Sequence, residues 1–396
     1  MASDRIDILA PDPTRDAEEI IDLFAKVFAG SYFDRRDYCR KRYILNSHYD
    51  WNRSRIGRCD GKLVTHWGIW DYTCRVGGCG LRVAGVGAVA CHRDYQKRGL
   101  ITKTLRESLA VLDEAGYDLT TLFGIPDFYH RFGYTRGWEA PSYRVDLGQL
   151  PEEKPDARPR KLRPQNADQR VDIYNRQFAG LTGTAVRPTF DDDVMASRAE
   201  AYEWLDGEGK VAGWVSHRGE EIVDHGGDAQ QVLRVVAQLA RKHHWHEVRF
   251  SHLHHECEMA RLLRGRRCRV EKTYQKSGGP MVKIVNLPAA MGKIAPELTR
   301  RLAGSAMAGF SGELALRCGD AACNLQIAKG KVQVGPAGTS RHSVSGGDEL
   351  AQLVLGTDTP AEVVRAGGLK LTGDAGLLLE ALLPAQNPTL STADCF

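Results

Sequence analysis

The sequence has no CxxC pair; its ten cysteines stand singly from Cys39 to Cys395. That excludes the common zinc-ribbon and dithiol redox spacings. No apolar run approaches the ~18 residues that suggest a membrane span. The opening Met1–Arg5 lacks the basic-then-apolar layout of a secretory signal. The cysteines are therefore expected to be reduced thiols, mostly small core residues, in a cytoplasmic protein. Neither sign of charge dominates: 54 Lys and Arg against 50 Asp and Glu leave +4. That balance is too mild to indicate nucleic acid or a membrane surface as partner. No Ser-His-Asp order or nucleophile elbow stands out. What is present is an ordinary globular mix, 42% apolar and 26% charged over 396 residues. Two or three domains of ~100–200 residues fit that length.

Apolar periodicity predicts the elements. A strand at 5–9 leads into a helix with Ile20, Leu23, Phe24, Val27 and Phe28 on one face. Alternating segments around Leu63–Trp70 and Leu81–Cys91 suit antiparallel strands. A helix follows from about Gly99 to Gly116, carrying Leu105, Leu109 and Leu112, and Leu119–Phe123 reads as a short strand. The proline- and charge-rich stretch Pro151–Pro164 marks a linker. Beyond it the beginning is echoed: Ile21–Gly30 matches Val171–Gly180 in its Asp, Phe, Ala and Gly, and Gly61-Lys62-Leu63 matches Gly209-Lys210-Val211. Two matches in register point to a duplicated domain. From Met281 the pattern changes to a helix over 295–302, a hairpin over 313–334 turning at Lys329-Gly330, and short helices near 349–355 and 361–365. The segment closes with Leu369-Lys-Leu-Thr-Gly-Asp374 and a Leu-rich helix over 377–383. The resulting boundaries are 1–150, 151–280 and 281–396.

The stretch that carries chemistry runs from Ala84 to Ile101. A strand of small residues enters the basic turn Gln96-Lys97-Arg98-Gly99, then a helix. A pyrophosphate needs converging backbone N–H donors, which a helix N-terminus supplies together with a favourable dipole. Gly99 removes a side chain where phosphate approaches, and Lys97 and Arg98 raise the local positive potential. Taken alone, the segment also fits an ordinary basic helix start after a core strand. The run His243–Cys257 holds six histidines and a cysteine but matches no tetrahedral zinc spacing, so no metal is expected. In the second repeat, Asp224–Asp228 places acidic residues where phosphate would sit, so no coenzyme is expected there. Asp191-Asp192-Asp193 reads as a solvated loop, with a role in attracting cationic substrates as the alternative.

The segment Gln96-x-x-Gly99-x-Ile101 resembles the coenzyme A-binding motif of the GNAT acetyltransferases, departing at Ile101, where a small residue is usual. Phe123–Tyr134 resembles the GNAT segment after the fifth strand, where a tyrosine lies by the coenzyme A sulfur. The whole layout resembles the enhanced intracellular survival (Eis) branch. That resemblance implies an α+β fold: two tandem GNAT-like α/β domains, the second degenerate, and a C-terminal α+β domain like a sterol carrier protein. It implies acetyl-CoA as co-substrate, held by Val89, Cys91, Gln96, Lys97, Arg98, Gly99, Leu100, Ile101, Thr102 and Gly124. It implies direct attack by an amine of a small molecule, with aminoglycosides and other polyamines as candidate acceptors. Tyr129 maps onto the family's general acid, and the carboxylate of the terminal Phe396 onto its general base. A homo-oligomer is implied, with a hexamer as one form. Read without the resemblance, Tyr129 between Phe128 and Phe132 also suits plain core, and Phe396 a frayed end. The alternative function is a non-catalytic coenzyme A sensor whose C-terminal domain binds lipid or protein.

Overall fold

The alternating residues over 62–76 and 79–91 form the two longest strands, turning at Gly77-Gly78, where Gly77 adopts a left-handed φ of +56°. The computed structural model describes residues 5–28, 36–40, 44, 48–188, 199–275 and 277–395. Among these, three sheets form. The first contains β1 (Asp7–Leu9), β2 (Arg55–Cys59), β3 (Lys62–Val76), β4 (Cys79–Cys91), β5 (Leu119–Gly124), β6 (Thr135–Arg136) and β15 (Gly279–Ile284) in the order β1-β2-β3-β4-β5-β15-β6, with β9 (Ala185–Val186) paired to β3. The second contains β7 (Ser142–Asp146), β8 (Arg160–Lys161), β10 (Glu200–Leu205), β11 (Val211–Arg218), β12 (Glu221–Gly227), β13 (Glu247–Ser251) and β14 (Cys268–Glu271), ordered β14-β7-β13-β12-β11-β10-β8. The third holds β16 (Gly312–Cys318), β17 (Ala321–Ala328), β18 (Lys331–Gly335), β19 (His342–Gly346) and β20 (Leu369–Thr372), ordered β18-β17-β16-β19-β20.

The helices are α1 (Ala17–Val27), α2 (Arg36–Cys39), α3 (Leu100–Glu114), α4 (Ala167–Gln177), α5 (Ala229–Lys242), α6 (Glu258–Arg264), α7 (Leu287–Ala303), α8 (Leu350–Leu355), α9 (Pro360–Arg365) and α10 (Ala375–Leu382). The two sequence matches fall on equivalent features. α1 and α4 carry the first pair. Gly61 and Gly209, at φ +79° and +80°, supply the left-handed turn residue before β3 and β11. In each of the first two sheets one pair of neighbours is parallel, β4 with β5 and β12 with β13, and a helix, α3 or α5, connects the two strands. A parallel pair needs such a crossover.

Sheet membership does not divide at residues 150 and 280. β7 lies before the linker but pairs with β13 and β14 of the second sheet. β15 leaves the second segment and pairs with β5 of the first, from Gly279↔Gly124 to Ile284↔Leu119. Backbone ladders therefore tie the segments together. The expected hairpin over 313–334 is a three-strand meander, β16-β17-β18, because Gly319, at φ +56°, makes a second turn before Lys329-Gly330. The helix expected over 295–302 begins at Leu287, capped by the Asn286 side chain, and continues through Pro296. Its buried face, with Met291, Ile294 and Leu298, packs in one core with Leu314, Leu325 and Leu378 of the third layer and with Val76, Leu81 and Leu119 of the first sheet.

Candidate active site

The first sheet opens where β4 and β5 part. Their parallel pairing runs from Val83↔Leu119 to Val86↔Leu122 and ends, while β4 continues to Cys91 and β5 to Gly124. A bulge in β4 accompanies the parting. Ala88 takes φ +47°, unusual for a residue with a Cβ, and the register with β3 shifts between His66 and Gly68. Side-chain direction records the same bulge. Ala84 and Val86 face the α3 side, as alternation requires, yet so does Val89, while Ala88 and Ala90 face the α1 side. Three residues cannot separate two same-face positions in a regular strand.

A buried pair of side chains fixes the bulge. His66 lies fully buried on β3; its Nδ1–H donates to the Ala88 carbonyl at 2.9 Å, and its Nε2 therefore accepts from the Tyr49 hydroxyl at 2.8 Å. Burial holds the imidazole neutral, with a pKa lowered to about 4. Sequence reading missed this pair. Its one visible sign was a lone histidine within the apolar run Leu63–Trp70.

α3 begins beside the opening. Gly99 is its N-cap at φ +74°, and no side chain among the described residues caps the helix. The helix's own ladder starts with Lys103 N–H to the Gly99 carbonyl at 3.2 Å, so the N–H groups of Leu100, Ile101 and Thr102 lie ahead of it. A Cβ at Gly99 would meet no heavy atom within 4 Å. The Cβ position at Gly99 is open among the described residues, and glycine is required there by φ rather than by crowding. Gln96 folds back, its Nε2 donating to the Cys91 carbonyl at 3.3 Å, and Arg98 Nη2 donates to the Asp94 carbonyl at 2.7 Å. Lys97 is exposed at φ +61°. Leu100 is buried and Thr102 half-buried. The bulky Ile101 turns into the α3-side core with Val89, away from the open helix end. The arrangement suits a diphosphate at the turn and an extended chain along the unpaired edge of β4.

Tyr129 sits on the α3 side of the opening. Asp127, left-handed at φ +57°, is tied to Ser277 by two hydrogen bonds of 2.9 and 2.7 Å, which fixes the loop that presents Tyr129. Its ring packs against Trp67, Phe128 and Tyr134. A Cβ on Gly124 would lie 2.9 Å from that ring, so glycine at the end of β5 leaves room for the tyrosine. The Tyr129 hydroxyl has no hydrogen-bond partner among the described residues, and burial pushes its pKa up to about 12. On the opposite, α1 side, Tyr72 donates to or accepts from Thr121 Oγ1 at 2.9 Å, and Trp138 meets Phe123 edge-on at 5.7 Å. Cys395 and Tyr72 both pack against the small cluster of Trp138, Ala185 and Leu390. β4, the α3 turn, Gly124 and Tyr129 thus meet at the opening, and the chain reaches Trp138, beside Phe123 of β5, one residue before Phe396, which itself lies outside the described residues, as does Asp191-Asp192-Asp193.

Other polar groups singled out in the sequence go elsewhere. His252 donates to the Leu390 carbonyl, His254 to that of Thr182, and His255 bonds Tyr143, while Cys257 Sγ caps α6. Among the described residues no three His, Cys, Asp or Glu side chains converge as a metal site. None of the described helices is long and apolar enough to cross a membrane. At the start of α5, the counterpart of α3, Asp228 Oδ1 accepts from Gln231 N–H at 2.8 Å. A carboxylate there occupies the helix end that Gly99 leaves open in α3.

Comparison with known proteins agrees with this geometry. Residues 13–137 match the acetyltransferase (GNAT) domain family. No curated protein matches the chain. Among solved structures, the chain is similar to a GCN5-related N-acetyltransferase from Kribbella flavida, at 18% identity over 100% of this chain and 99% of that one, TM-score 0.75. It is similar to another from Anabaena variabilis, at 17% identity over 99% and 100%, TM-score 0.76. It is also similar to Eis1 from Mycobacterium abscessus, at 17% identity over 97% and 98%, TM-score 0.67. At these identities the likeness is one of fold. Residues 13–137 therefore form a GNAT acetyltransferase domain, and the chain is an acyltransferase.

Proposed function

We propose that the chain transfers acetyl from acetyl-CoA to an amine of a small polycationic molecule, such as an aminoglycoside, in the opening between β4 and β5. The observation that carries this reading is the parting of the two strands at the Ala88 bulge, next to the N–H groups that precede the helical ladder of α3. In this reading the α3 turn, Gln96 to Thr102, holds the diphosphate, and Val89, Cys91 and Gly124 flank the pantetheine arm. Segment 1–150 acts as the catalytic domain and 151–280 as a degenerate copy without coenzyme. Segment 281–396 is a sterol-carrier-like domain that returns the chain's end to the site. Assembly as a cytoplasmic homo-oligomer belongs to the same reading.

The amine nitrogen attacks the thioester carbonyl carbon, the C–S bond breaks, and the amine's proton must leave as the sulfur gains one. Phe396 supplies the base in this proposal. A terminal carboxylate has a pKa of ~3.5 and is ionised at neutral pH, so it accepts the proton directly or through one water. The packing of Cys395 on the Trp138 cluster, beside Phe123 of β5, supports that placement. Tyr129 is the proposed acid. A phenol near 12 keeps its proton at every working pH, and its hydroxyl has no competing partner among the described residues. Donation to a thiolate whose thiol titrates near ~8.5 is uphill by itself. It therefore proceeds in concert with proton release from the attacking amine. The test compares residues added after Phe396 with the same residues added before Met1. Extension after Phe396 is expected to cut turnover and leave acetyl-CoA affinity intact; equal turnover by the two forms removes the carboxylate from the mechanism.

A further inference from the structure

The second sheet parts where the first does. β12 and β13 pair in parallel only at Glu221↔Arg249 and Ile222↔Phe250. Over this second opening lies the chain's own terminal segment. His252 Nδ1–H donates to the Leu390 carbonyl at 3.2 Å. Asp394 is gripped on both oxygens by Arg187, Nε to Oδ1 at 2.7 Å and Nη2 to Oδ2 at 3.0 Å, and the Tyr174 hydroxyl donates to Oδ2 at 2.9 Å. The same guanidinium turns its other edge to Asp224 of β12, at 2.9 and 3.2 Å, and stacks 3.5 Å from the centre of the Tyr174 ring. The Arg187, Asp224 and Asp394 side chains are only 5, 4 and 10% exposed.

A buried carboxylate–arginine–carboxylate triad is a weak source of net stability, since desolvation consumes much of its attraction. Its geometry is another matter. A planar fork bonded on two edges fixes position and direction. Arg187 also directly follows β9, which pairs with Thr73 and Cys74 of β3. One side chain therefore ties the first sheet, the second sheet and the terminal segment together, one residue before Cys395 packs against the cluster of Trp138, Ala185 and Leu390.

We propose that Arg187 is a positioning residue that pins the segment 390–395 across the second opening, so that the segment's end forms part of the acceptor side of the first. This rests on the acetyl-transfer reading above. The second copy of the fold then serves as a holder for the tail in the place where the first holds its coenzyme.

The full-length chain carries the test, in wild-type, Arg187→Met and Asp394→Asn forms. Three quantities are read: the rate at which iodoacetamide alkylates Cys395, followed on its peptide by mass spectrometry; the acetyl-CoA Kd; and kcat and KM for neomycin as the acceptor probe. Cys395 is half-buried against the Trp138 cluster in the pinned segment, so release exposes it. Both variants are expected to alkylate Cys395 at least tenfold faster, to keep the acetyl-CoA Kd within twofold, and to lose at least tenfold in kcat/KM for the amine. Unchanged alkylation overturns the pin. Faster alkylation with unchanged amine turnover overturns its link to the acceptor site. If Arg187→Met loses acetyl-CoA binding through misfolding, Asp394→Asn, which removes one charge and no atoms of the fork, decides alone. A wild-type protein that binds acetyl-CoA but acetylates neither neomycin nor other amines fails the acetyl-transfer reading instead, and the alkylation rates still test the pin.

Discussion

Replacing Gly99 by glutamate separates the two things that glycine does at the start of α3. The first is conformational: Gly99 sits at φ +74°. A residue with a Cβ adopts that region at a cost of ~1–2 kcal/mol, whether it is alanine or glutamate. Since a Cβ there meets no atom within 4 Å, Gly99→Ala should show this cost alone, as lost stability with little change in acetyl-CoA affinity. The second is electrostatic. A glutamate carboxylate ~5 Å from each of two phosphate charges feels ~0.8 kcal/mol of repulsion per charge even in water-like surroundings. The two together, ~1.7 kcal/mol, weaken binding roughly fifteenfold. Salt with a Debye length of ~8 Å at physiological strength reduces that factor. Isothermal titration at low and physiological salt, on wild type and both variants, is the assay. Gly99→Glu should bind at least tenfold more weakly at low salt, with the gap narrowing as salt rises, while Gly99→Ala stays near wild type at both. Equal affinities for all three proteins, or a Gly99→Glu defect insensitive to salt, would refute the placement of the diphosphate.

Tyr129→Phe keeps the ring that packs on Trp67 and Tyr134 and removes a hydroxyl without a partner among the described residues. Turnover should fall ~10²–10⁴-fold with melting temperature and acetyl-CoA affinity nearly unchanged; wild-type turnover would make Tyr129 a packing residue. Acetyl-CoA should bind once per chain, and Asp228→Ala should cost ~1 kcal/mol of stability through loss of the α5 cap without creating a second site in a titration. His66, His225 and His254 are each lowered to about 4, chiefly by burial. Their folded pKa values lie below the unfolded 6.5, so the stability they contribute is complete above pH 6.5 and lost as pH falls toward 4. Thermal melts from pH 7 to pH 4.5 should show a steady drop, and a flat profile would contradict their neutral burial.

Much of the site was legible because its signals are local. The small-residue strand, the basic turn and Gly99 are consecutive, and the structure uses them together as a strand edge running into a helix start. The duplicated glycines Gly61 and Gly209 were readable for the same reason, since a left-handed turn residue leaves its mark at one position. What stayed hidden depends on pairing between distant segments. No periodicity announces that β15 closes the first sheet beside β5, or that β7 joins the second. The Ala88 bulge is a matter of register with β3, and its holder His66 is 22 residues away. Arg187 and Asp394 are 207 residues apart; each reads as an unremarkable surface charge until the fold buries both. The run 243–257 is a cluster in sequence alone, because His252, His254 and His255 point to separate carbonyl and hydroxyl partners.

Amine-dependent release of free coenzyme A from acetyl-CoA, measured for the wild-type protein across a panel of aminoglycosides, linear polyamines and simple alkylamines, tests the central claim most directly. The account predicts thiol release that requires both acetyl-CoA and an amine, with the acetylated amine recovered in equal amount. Tight one-to-one acetyl-CoA binding with no amine-dependent release across the panel would contradict it and favour a coenzyme A sensor.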